Sequence, residues 1–115
     1  MSQAADTIRE NSAMWANLKE ANPEAMAAFG NLRQSVCKDG GALDFKTLEL
    51  IAVAVTVARQ CDGCMLSHLK CCIDAGVTRE ELACALGVNI LVGGGPGMAQ
   101  AAKALDAFDQ MMAEK

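Results

Sequence analysis

The hydrophobic and polar positions read as a succession of helical segments separated by short polar or glycine-rich punctuation. The first is expected from about Asp6 to Glu20, with Ile8, Met14, Trp15 and Leu18 on its apolar side. Asn22-Pro23 pairs a helix cap with a first-turn proline and opens a second helix, ending near Lys38 at Asp39-Gly40-Gly41. Asp44 suits the cap of a third, running to Arg59-Gln60. Its Leu48, Leu50, Ile51, Val53, Val55 and Val57 make it apolar almost all round and therefore central. Cys61-Asp62-Gly63 interrupts that run, and Cys64 to Ala75 follows as a fourth helix closed by Gly76. Thr78 with Glu81 three residues on is a capping box, ahead of Leu82, Leu86, Val88, Ile90 and Leu91 in a fifth. Gly93-Gly94-Gly95-Pro96-Gly97 is expected to break it, with Pro96 leading into a sixth helix from Met98 to about Ala113.

Composition agrees with an all-α bundle of about six helices. Twenty-one alanines and seven methionines stand against three phenylalanines, one tryptophan and no tyrosine, a balance that favours helix over sheet. With 115 residues there is room for a single domain, residues 1–115, and at 52% hydrophobic and 21% charged the chain folds rather than staying solvated. A core of Ala, Leu, Val and Met has little bulk, so a domain this short is expected to self-associate. The net charge of −4, with basic residues scattered singly, excludes a phosphate-tracking stripe and with it nucleic acid as a partner. The first residues carry no export pattern, and the longest uninterrupted apolar run, Leu50 to Val55, is far short of a bilayer span. A soluble protein of the reducing cytoplasm, without a membrane partner, is expected.

The strongest chemical signal is Cys61-Asp62-Gly63-Cys64 followed four residues later by His68, the only histidine. On helical geometry, residues three apart lie ~5 Å from each other between Cα atoms, inside the range a disulfide accepts. His68 falls one turn beyond Cys64 on the same face, where an imidazole can exchange a proton with a thiol. The thiolate is the attacking species, and a helix N-terminus favours that anion. The bland alternative is a set of small core residues and a satisfied core histidine. Glu49 lies within the most apolar helix, where an unpaired carboxylate is costly. It either works as a proton carrier for a histidine or thiol, or reaches solvent or pairs with Lys46 or Arg59.

Other patterns carry less. Four zinc ligands drawn from Cys61, Cys64, His68 and Cys71 or Cys72 would spread ~15 Å along one helix, too far for a single ion. Neither a metal nor a cofactor is expected. Cys37, Cys71, Cys72 and Cys84 read as small, weakly polar core or interface residues, and Met111-Met112 as packing. The glycine run lacks the Lys-Ser/Thr that a phosphate loop requires.

Glu49, Cys61-Asp62-Gly63-Cys64, His68 and Gly93-Gly94-Gly95-Pro96 together resemble the carboxymuconolactone decarboxylase family, specifically its alkylhydroperoxidase D-like branch, over roughly Leu43 to Phe108. The resemblance implies an all-helical fold assembled as a homo-trimer or homo-hexamer with sites near subunit interfaces. It implies Cys64 as the peroxide-attacking thiolate, Cys61 as the resolving thiol, and His68 and Glu49 as the proton relay. The substrate would be a small hydroperoxide and the reductant a lipoyl-bearing or thioredoxin-like protein. More active relatives carry a histidine just before the second cysteine, where this chain has Gly63. Two alternatives share the pattern: a lactone-decarboxylating acid–base enzyme using His68 and Glu49, and a non-enzymatic redox sensor.

Overall fold

The computed structural model describes residues 2–115 and holds five helices in chain order: α1 (Gln3–Ala21), α2 (Pro23–Val36), α3 (Phe45–Ala58), α4 (Asp62–Asp74) and α5 (Arg79–Ala113). The local start signals act as expected. Asn22, Asp44 and Thr78 each accept a hydrogen bond from the backbone N–H three residues on, and Glu81 closes the capping box on Thr78. Gly76, at φ 84°, turns the chain after α4.

Five helices stand where six were expected, because the glycine segment bends the chain without ending the helix. Only Gly94 leaves helical geometry, at φ 61° and ψ −140°, so the two predicted helices continue as one kinked α5. Gly97 then packs directly against the backbone carbonyl of Asn89, where no Cβ fits. Asn89 is itself buried and donates from Nδ2 to the Ala54 carbonyl at 3.0 Å, tying the bend of α5 to α3.

The core lies where α3, α4 and α5 meet. Val53 and Val57 of α3, Leu66, Leu69 and Cys72 of α4, and Leu82, Leu86, Ala104 and Phe108 of α5 are all buried there. Among the described residues α5 alone is long and apolar enough to cross a membrane, and here one side of it forms this core. The sequence expectation for α3 is half met. Glu49, Val53 and Val57, spaced one turn apart, face inward, while Ile51 and Val55 are about half exposed. The expected apolar side of α1 is largely uncovered as well. Ala4 is buried and Ile8 packs on the core, but Met14, Trp15 and Leu18 are exposed. No residue of α2 is buried, and Phe29, Leu32 and Val36 stand in the open.

Gly97→Ala is expected to destabilise the fold by about 1–3 kcal/mol, since its new methyl meets backbone rather than a movable side chain. Gly93→Ala, with open space at its Cβ, should stay within about 0.5 kcal/mol of the parent. Thermal unfolding of the two variants checks the contrast.

Candidate active site

Cys61 ends the short turn after α3 and caps α4, its Sγ accepting from the Cys64 backbone N–H at 3.4 Å. The two cysteines are joined as a disulfide with Cα atoms 5.3 Å apart, within the range expected from their spacing. Helix α4 therefore begins two residues earlier than its sequence suggests, with the pair built into its first turn. That placement matters chemically, because the free N–H groups of a first turn stabilise a thiolate once the disulfide is reduced. Cys64 is exposed and Cys61 partly covered, so an incoming molecule meets Cys64 first.

His68 lies one turn along α4 and Glu49 comes across from α3. Glu49 is only 1% exposed, and its Oε2 is 2.7 Å from His68 Nδ1. The carboxylate neither reaches solvent nor pairs with Lys46 or Arg59; Lys46 binds Glu81 instead, at 2.9 Å. A carboxylate can only accept, so His68 Nδ1 carries the proton and donates it to Glu49. In the neutral ring Nε2 is then a bare acceptor, and it has no protein partner among the described residues.

Arg33, which the sequence reading did not consider, joins this site, as do Cys37 and Cys71, which it read as core or interface residues. Arg33, from α2, places Nη1 3.0 Å from Ser67 Oγ and Nη2 3.1 Å from Cys71 Sγ. Its Nη2 also stands 3.3 Å from His68 Nδ1, a contact between two donors, since the proton there is already directed at Glu49. Cys37, at the C-terminal end of α2, and Cys71 flank the same carboxylate. Burial, followed by the charge of Glu49, pushes both thiols up, and burial pushes the Cys72 thiol up to about 12. Cys72 is a core residue, as its sequence context suggests, whereas Cys37 and Cys71 border the Glu49–His68 pair as poor nucleophiles. Cys84 is exposed on α5.

Gly63 has a physical reason to lack a side chain. A Cβ there would stand 3.3 Å from Asn11 Nδ2 and 3.5 Å from the Trp15 ring, so α1 occupies the space a larger residue would need.

The Cys72 thiol sets a pH dependence. Its folded value of about 12 lies above the ordinary 9.0, so the folded protein keeps a proton that the unfolded chain loses first. Its stabilising contribution is whole below pH 9 and drains away as pH rises toward 12. The unfolding midpoint of the parent is expected to fall across that window, and that of Cys72→Ala to fall less from its own value at neutral pH.

Comparison with known proteins places this geometry. The family model for the carboxymuconolactone decarboxylase family matches residues 23–107. The fold is similar to that of a carboxymuconolactone decarboxylase family protein from Legionella pneumophila in its apo form. The TM-score is 0.91 at 40% identity, over 96% of this chain and 97% of that one. A family member from Thermotoga maritima is similar with a TM-score of 0.80 at 25% identity, over 93% and 91% of the two chains. An uncharacterised protein of Cupriavidus necator is 41% identical over 106 residues, 92% of this chain and 93% of its own length. With the family pattern spanning most of the sequence and the Legionella fold following nearly all of its path, the chain belongs to the carboxymuconolactone decarboxylase family.

Proposed function

We propose that the protein is a thiol–disulfide oxidoreductase that reduces alkyl hydroperoxides, cycling Cys61 and Cys64 between dithiol and disulfide. The observation that carries this reading is a bonded, partly accessible cysteine pair in the first turn of the helix that also bears a carboxylate-oriented histidine. The Thermotoga relative, which has been suggested to take part in an antioxidative response, is in keeping with it.

The Cys64 thiolate attacks the terminal peroxide oxygen, the O–O bond breaks, and the alkoxide leaves as the alcohol after taking a proton. Cys64 is left as a sulfenic acid. The Cys61 thiol attacks that sulfur, forming the disulfide and releasing water. Two thiols thereby supply the two electrons that convert one hydroperoxide into alcohol and water. Neutral His68, through Nε2, accepts the thiol proton and returns it to the leaving oxygen, while Glu49 holds the ring in that tautomer. A dithiol protein, lipoyl-bearing or thioredoxin-like, then reduces the disulfide and becomes oxidised itself. The reading places the protein in the reducing cytoplasm as a homo-trimer or homo-hexamer. Exposed Ile51, Val55, Val88 and Val92, around an apolar groove of about 910 Å³ between α3 and α5, favour self-association.

A second reading rests on the same Glu49–His68 pair, which is complete without either cysteine: an acid–base enzyme acting on a lactone. The cysteine pair distinguishes the two. Under the redox reading, one equivalent of hydroperoxide added to reduced protein removes two hydrogens from the peptides bearing Cys61 and Cys64. Cys64→Ser abolishes turnover, and Glu49→Gln lowers it about a hundredfold. Peptide mass spectrometry and turnover with a dithiol reductant check this. Unchanged masses, or full hydroperoxide turnover in Cys64→Ser, would overturn it, and lactone turnover that survives Cys64→Ser would favour the acid–base enzyme.

A further inference from the structure

A cavity of about 320 Å³ opens between α1, α2 and α4, beside the cysteine turn. Gly63, lying between the two cysteines, forms one part of its wall, and Ser67 and Cys71 continue that wall along α4. Ile8, Trp15 and Leu66 give it an apolar side. Arg33, reaching in from α2, and Lys70 give it two positive charges, and Asp74 one negative charge.

The guanidinium of Arg33 is the informative group. It is half-buried, yet the atoms its nitrogens meet belong to a hydroxyl, an imidazole and a thiol. Among the described residues no carboxylate lies within ion-pair distance of it, whereas Arg79 is matched to Asp109 at 2.8 Å on the open surface. Glu49 meets the same ring nitrogen that Arg33 approaches, at 2.7 Å against 3.3 Å, but it is already bonded to that ring and stands outside ion-pair distance of the guanidinium. A half-buried cation held by neutral groups on the wall of a cavity is a place for an anion from outside.

We propose that this cavity binds a small amphipathic carboxylate, with its anionic end on Arg33 and Lys70 and its apolar part against Ile8, Trp15 and Leu66. One negative charge balances the wall, which sums to +1 with Asp74 included. A dianion such as phosphate would leave a charge facing Asp74 and would have no use for the apolar side. Because Gly63 borders the same cavity, a bound molecule lies alongside the Cys61–Cys64 turn. That the proposed peroxide substrate carries this carboxylate rests on the redox reading, but binding itself does not.

Trp15 is the only tryptophan and lines the cavity, so its fluorescence reports occupancy directly. Phenylacetate titrated into the full-length oxidised protein is expected to give a saturable change, with phenylacetamide at least about tenfold weaker. Arg33→Gln should weaken phenylacetate about tenfold or more, Arg33→Lys less, because only the planar fork binds a carboxylate in two places. Lys70→Gln, at an exposed position where folding is not at stake, should weaken it several-fold. The proposal is overturned by an absence of saturable change through the millimolar range, by an equal response to the amide, or by saturation with inorganic phosphate in preference to phenylacetate. It is equally overturned if both Arg33→Gln and Lys70→Gln bind as the parent does. Disulfide formation by hydroperoxide, followed on the same preparations, separates the two ideas. An intact thiol cycle without phenylacetate binding removes only this site, and phenylacetate binding without a thiol cycle removes only the redox reading.

Discussion

A carboxylate cannot be left unmatched at 1% exposure, and the way Glu49 is matched organises the surrounding molecule. Its partner, His68, comes from a different helix at 2.7 Å, so the bond fixes α3 against α4 as well as fixing the ring. The same bond leaves the other ring nitrogen of the neutral imidazole as an acceptor one helical turn from Cys64. Packing and chemistry thus meet in one interaction. Val53 and Val57, successive turns beyond Glu49, continue inward into the hydrophobic core, so the carboxylate sits at the end of an apolar stripe and not apart from it.

The parts of this arrangement that were legible beforehand are those determined within one or two turns of chain. The helix caps at Asn22, Asp44 and Thr78 depend on a side chain meeting a backbone N–H three residues away, and the cysteine pair depends on the same spacing. The Glu49–His68 contact spans nineteen residues, but both members carried a warning: one charge in an apolar helix, and one histidine in register with a thiol. The kink was visible in its glycines, although their sequence overstated it. Five small or rigid residues read as an end to the helix, and in the structure a single positive φ at Gly94 makes the bend.

The parts that were not legible depend on which neighbour covers a face. Periodicity marks Met14, Trp15 and Leu18 as an apolar side, but it cannot supply a partner, and in this chain none of its other helices buries them. Arg33 and Cys37 were obscure for a related reason. Arg33 belongs to α2, no residue of which is buried, Cys37 caps the end of that helix, and both reach the site only at its edge. Cys71 did leave a clue: it stands seven residues beyond Cys64 and three beyond His68, on the same stripe of α4. Burial and the charge of Glu49 raise its thiol and make it a poor nucleophile, while Cys64 stands exposed in the disulfide.

The account rests on His68 holding its proton at Nδ1 against Glu49, and the ring's being the only imidazole makes that directly observable. Nitrogen-15 NMR of the histidine-labelled protein at a pH where the ring is neutral reads the tautomer without assignment. A protonated Nδ1 with a bare Nε2, reverting toward the ordinary mixture in Glu49→Gln, is the predicted result. A ring protonated at Nε2, with Nδ1 bare and accepting from Arg33, would contradict it.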